Sequence, residues 1–171
     1  MTFLIYNAAL LLLSPIIALY VLYRVFISGK SRHSWKQQLG AVTLPRELPD
    51  RERIWIHAVS VGESVASAAV IRELKHALPE SAVLVSTTTE KGQEMARKSV
   101  KDADGFFYYP FDMLPCVASS LGRVRPIVFA STDTEIWPNF LHIAHRRGVK
   151  TAMINGTVSD KTLAGAKKIP W

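Results

Sequence analysis

At 171 residues the chain has room for one ordinary domain plus an appendage, and 49% hydrophobic against 20% charged residues supports a packed core and excludes disorder. One cysteine, Cys116, excludes an internal disulfide and a cysteine-based zinc site, and suits a reduced compartment. The net charge of +7 suggests nucleic acid only until it is located. No acid precedes Glu47, whereas Arg24, Lys30, Arg32, Lys36 and Arg46 do, and beyond them basic residues exceed acidic ones by two. The excess therefore follows an apolar N-terminus and reads as a membrane-surface patch. No nucleic-acid motif accompanies it, so no nucleic-acid partner is expected.

From Phe3 to Ile27, 21 of 25 residues are apolar or aromatic, the exceptions being Asn7, Ser14, Pro15 and Arg24. That is long enough for a membrane-spanning helix, which needs about 20 residues. Tyr20, Tyr23 and Arg24 resemble an interfacial belt with a snorkelling cation. Basic residues follow the run and none precedes it, which places the following domain in the cytoplasm, at the inner membrane. A signal peptide would carry an earlier charge and a small-residue cleavage site. Pro15 leaves open a kinked helix lying in the interface instead of crossing. Residues 1–27 are thus read as a membrane anchor and 28–52 as a basic connector punctuated by Gly29, Gly40, Pro45 and Pro49.

In residues 53–171 short apolar runs alternate with helix-period segments. Strands are predicted at 53–59, 82–86, 104–109, 126–130 and 150–155, with helices at 64–78, 91–99, 115–122 and 138–147. The last helix starts suitably on Pro138. This alternation implies an α/β fold, a Rossmann-like parallel sheet flanked by helices. Ligands in such sheets bind beyond the carboxyl ends of the strands, so the loops there hold the candidate site.

Glu63 stands at the first strand-to-helix turn, after Ser60 and Gly62. A helix N-terminus favours its carboxylate and desolvation in a cleft favours its acid form. A partly desolvated carboxylate there can serve as general base for a substrate hydroxyl, or merely complement the helix dipole. Asp133 and Glu135 follow a buried strand two residues apart, and face one way only if the segment stays extended. They can support a transition state or hold an acceptor, or act as ordinary first-turn acids. Thr87, Thr88 and Thr89, near Gly92, can bind sugar or phosphate oxygens, or cap a helix. Neither a Walker spacing nor GxGxxG occurs. His57 reads as a core residue, His142 and His145 lack a third partner, and no metal site is assigned.

Ile54-Trp-Ile-His-Ala-Val-Ser-Val-Gly-Glu63 and Asp133-Thr-Glu-Ile-Trp-Pro-Asn139 resemble the signatures of the lipid A Kdo (3-deoxy-D-manno-oct-2-ulosonic acid) transferases. Ser86-Thr-Thr-Thr-Glu-Lys-Gly92, Tyr108-Tyr-Pro-Phe-Asp112 and the anchor run with Pro15 fit the same order, so the resemblance covers almost the whole chain. It implies the N-terminal, acceptor-binding half of a GT-B glycosyltransferase that moves Kdo from CMP-Kdo to a lipid A precursor with inversion and without a cofactor. It also implies Glu63 as general base, Glu135 and Asp133 as transition-state or acceptor support, and Ser60, Gly62, the three threonines and Asn139 as substrate contacts. Two departures are Asp133, where the family usually has Glu, and Gly156-Thr-Val-Ser159, where it has an arginine. The donor-binding second domain is expected to lie outside this chain. The alternatives are a non-catalytic, membrane-bound acceptor-binding remnant or subunit, and a generic nucleotide binder, which the missing glycine-rich loop disfavours.

Overall fold

The computed structural model describes residues 2–27, 34–46, 48, 51–59 and 61–156. Helix α1 (Thr2–Leu22) runs into a π-helical turn (Tyr23–Ile27), and a short α2 (Trp35–Gln38) follows. Then come β1 (Arg53–His57), α3 (Val61–Ala77), β2 (Ala82–Thr87), α4 (Glu90–Ser99), β3 (Gly105–Tyr108), α5 (Leu114–Val124), β4 (Val128–Ser131), α6 (Pro138–Arg146) and β5 (Lys150–Met153). All five strands are parallel, in the order β3-β2-β1-β4-β5. The Rossmann-like α/β sheet expected from the alternation is the one observed.

The near-continuous apolar runs of β1 and β2 fit burial on both faces of the sheet. Ile54, Ile56, Val83 and Val85 pack with Ile71 of α3 and Ala96 of α4. Trp55, Leu84, Phe107 and Phe129 pack on the other face with Val117 and Leu121 of α5 and Phe140 of α6. Trp55 is its hub, fully buried and edge-on to Phe107, Phe129 and Phe140 at 4.8, 5.5 and 5.0 Å between ring centroids. Its indole N–H donates to the Ser86 hydroxyl at 2.7 Å. Large rings meeting edge to face add to the stabilisation from burial alone.

The connector is more than a tether. Ser34, Val42 and Leu48 are buried, and the Gln37 side-chain oxygen accepts from the Tyr108 amide at 2.9 Å, covering the edge of β3. The Gln38 amide donates to the Thr88 carbonyl at 3.0 Å. Gly40, at φ +97, approaches α5 so closely that a Cβ would lie 2.8 Å from the Cys116 carbonyl oxygen, so glycine is required.

Helix α1 lies along the α5/α6 side. Phe3 packs on His142 at 4.4 Å, the Tyr6 hydroxyl donates to Asp112 Oδ2 at 2.8 Å, and Asn7 and Asn139 exchange side-chain bonds of 2.9 Å. Near its other end Val21, Val25 and Phe26 share an apolar cavity of about 580 Å³ with Trp35, Leu39, Phe111 and Met113. Leu4, Leu11, Leu12, Ile16 and Leu19 remain exposed. The helix is long and apolar enough to cross a membrane, with mean hydropathy 2.2.

Candidate active site

The sheet order reverses at β1, which pairs with β2 on one side and β4 on the other. Beyond the paired ends of β1 and β4, His57 beside Ser131, lies the switch-point crevice position at which open α/β sheets bind ligands. Glu63 enters it from α3, which starts at Val61, three residues before the sequence-based boundary. The carboxylate explains the early start: Oε2 accepts the Val59 backbone N–H at 2.8 Å, folding back over the helix N-terminus. Ser60-Val-Gly-Glu63 has the spacing of a capping box, but the amide reached is that of Val59, one residue before the cap position. Ser60 lies outside the described residues, and Gly62 is exposed in the first turn.

The loop after β4 supplies the rest. Thr132 is buried, donates its hydroxyl to the His57 carbonyl at 2.9 Å, and places Oγ1 3.3 Å from Glu63 Oε2. One oxygen of Glu63 thus lies beside the sheet end.

Asp133 and Glu135 do not act as a same-side pair, because the chain bends after Ser131 instead of staying extended. Asp133 is exposed and bonds its neighbour's amide, Thr134 N, at 2.5 Å. Glu135 turns inward. Its Oε2 accepts the Trp137 indole N–H at 3.0 Å and lies 3.7 Å from Nε2 of His57. Burial pushes the Glu135 carboxyl above the usual range; the Trp137 bond opposes this, while the charges of Glu63 and Asp133 reinforce it. Two glutamates from different elements thus meet over His57 and Thr132.

The other candidates are placed elsewhere. Thr87 is buried, its hydroxyl bonded to the Gln93 side chain at 2.9 Å. Thr89 caps α4, accepting the Gly92 amide at 3.1 Å. Thr88 and Thr89, with Lys91, Gln38, Tyr20 and Arg24, line a separate cavity of about 500 Å³ beside α1. Asn139 is fully buried and spends its amide on Asn7 and on the Asp112 carbonyl at 2.6 Å, so it joins α1 to α6 rather than facing the crevice. His57, Thr132, Tyr109 and Trp137 were not identified from sequence as site residues, since only the tertiary fold brings them to the glutamates. Among the described residues no group of three His, Cys, Asp or Glu could hold a metal ion.

Family comparison adds to this geometry. The sequence profile of the 3-deoxy-D-manno-octulosonic-acid transferase (kdotransferase) family matches residues 33–171. The chain belongs to the Kdo transferase family. It is 29% identical over 157 residues to the 3-deoxy-D-manno-octulosonic acid transferase of Chlamydia trachomatis, covering 91% of this chain and 36% of that protein. Against the Haemophilus influenzae protein of the same name it is 26% identical over 157 residues, covering 92% and 36%. A bifunctional glycosyltransferase/methyltransferase of Fusobacterium nucleatum is 27% identical over 152 residues, covering 88% and 23%. The chain thus spans about a third or less of the length of these relatives.

Proposed function

We propose that this chain is the acceptor-side domain of a Kdo transferase of lipopolysaccharide synthesis, working at the membrane on a lipid A precursor. The observation that carries this reading is Glu63, fixed at the switch point of a domain that belongs to the family. One carboxylate oxygen accepts the Val59 N–H and lies 3.3 Å from Thr132 Oγ1, which orients the group as a general base should be oriented before substrate arrives. Glu63 takes the proton of an acceptor hydroxyl as that oxygen attacks the anomeric carbon of Kdo. CMP leaves from the opposite face, so the centre inverts. The donor, CMP-Kdo, is held mainly by a second domain, corresponding to the length of the relatives beyond this match; no cofactor takes part.

The position of α1 supports an in-plane membrane contact at the cytoplasmic face of the inner membrane. Residues 3–7 are bonded to the folded domain, and a helix clasped there cannot also carry its first turns across a bilayer. Its exposed leucines and isoleucines would lie in the acyl boundary. Lipid vesicles carrying the precursor, followed by calorimetry with CMP, test the acceptor-side assignment. Expected is binding that depends on the precursor, with little affinity for CMP. Tight, stoichiometric CMP binding without precursor dependence would reassign the domain to the donor.

A further inference from the structure

The proposed chemistry leaves His57 unused, although it is a fully buried polar side chain at the end of β1, beside Glu135. Its ring stacks on Tyr109 with centroids 3.9 Å apart. Nδ1 lies 3.1 Å from the Ser86 carbonyl oxygen and 2.9 Å from the Ser86 hydroxyl, which already accepts from Trp55. The Ser86 carbonyl oxygen only accepts and takes a proton carried on Nδ1, whereas the Ser86 hydroxyl can donate to a bare Nδ1. With the proton on Nδ1, Nε2 is a bare lone pair. It is buried without a hydrogen-bond partner and sits 3.7 Å from Glu135 Oε2.

We propose that His57 is a positioning residue that keeps Glu135 a neutral carboxylic acid, its O–H directed at the His57 Nε2 lone pair. This rests on the reading of Glu63 as the base. At 3.7 Å the pair is longer than a hydrogen bond, a length catalytic contacts commonly have before substrate binds. The groups acting on Glu135 are consistent. Glu63 from α3 and Asp133 from its own loop repel a charge there, the Trp137 N–H opposes them, and Tyr109 contributes a buried ring. His57 offers no positive charge in compensation, since burial holds it near a pKa of about 3. Two carboxyl groups in one site ionise together only at a cost, and environments that push them apart assign their roles. The consequence concerns substrate class. The family transfers an octulosonic acid, an anionic sugar. A second ionised carboxylate would repel it, whereas a neutral carboxylic acid would not.

The full 171-residue chain in detergent supplies the test through two spectroscopic readouts and one variant. Nitrogen NMR of labelled histidine should show His57 neutral with its proton on Nδ1. Isotope-edited infrared titration should show a protonated carboxyl that persists above the ordinary glutamate value of about 4.3 and disappears in Glu135→Gln. In His57→Phe, which keeps the ring stack but has no lone pair, that midpoint should fall by about one pH unit. A proton on Nε2, an ordinary midpoint for Glu135, or an unchanged midpoint in a folded His57→Phe overturns the proposal. The first two readouts need no substitution at His57, so a misfolded variant leaves the test intact. None depends on turnover, so failure of Glu63 as base is read separately, in kcat.

Discussion

Glu63 and His57 differ in how far their roles can be read from sequence. Glu63 is legible because its constraint is local: it lies in the first turn of the helix after β1 and folds back on Val59 N–H, four residues earlier. His57 is legible only as a core residue, because the Ser86 groups that its Nδ1 contacts lie on β2 and Glu135 lies beyond β4. Its burial has a measurable consequence. The folded pKa is lowered to about 3 from 6.5, so between these values the unfolded chain binds a proton that the folded one excludes. This contribution is complete above about pH 6.5 and is lost as pH falls toward 3, with a slope approaching about 1.4 kcal/mol per pH unit. Glu135, raised in the fold, acts with the opposite sign at the acidic end, so wild type must be compared with a variant. Urea unfolding across this window should show a shallower loss of stability in His57→Phe than in wild type. Parallel curves would mean that His57 is protonated in the folded state.

Helix α6 shows how one element can depend on another far away in sequence. It opens at Trp137-Pro138 with no capping side chain of its own. Asp112, from the loop after β3, takes over, accepting Asn139 N at 3.0 Å and Phe140 N at 2.8 Å while also accepting the Tyr6 hydroxyl. One carboxylate therefore holds α6 and α1 together. Asp112→Ala leaves buried donors unpaired and should cost about 2–3 kcal/mol in urea unfolding, whereas Tyr6→Phe should cost about 1 kcal/mol. Equal small effects would show that the loop closes over α6 without this carboxylate. Proline at the helix start was readable, but the cap in trans was not, because nothing in Tyr108-Tyr-Pro-Phe-Asp112 indicates which helix it serves. The connector was similarly opaque: Gln37 and Gln38 carry no period, yet they secure the edge of β3 and the Thr88 loop. The same contacts make the path of α1 testable. Single cysteines at Leu4, Leu12 and Leu19, with Cys116 replaced, should all be shielded by lipid from a charged thiol reagent added on either side, as an in-plane helix requires. Labelling at position 4 from the periplasm alone would show that α1 crosses the bilayer.

Across the whole molecule, alternating strands and helices made the parallel sheet legible, and the rule for such sheets located the crevice before any side chain was placed. Sequence spacing pairs Asp133 and Glu135 only if the segment stays extended, and a bend after Ser131 separates their directions. Asn139, expected as a substrate contact, has its amide consumed by partners on α1 and in the β3–α5 loop. What remains at the crevice is a pair of glutamates, oriented by Thr132 on one side and Trp137 on the other. The central claim is that Glu63 is the base. Its most direct test is kcat of Glu63→Gln, in a chain completed by a second domain from a relative, measured together with the unfolding midpoint. Glutamine keeps the shape but cannot take the hydroxyl proton, so kcat should fall by about 10²–10⁴ while the fold and acceptor binding persist. A variant that melts slightly earlier, by about 0.3–1 kcal/mol, yet turns over at the parental rate would reduce Glu63 to a helix-dipole residue and contradict the claim.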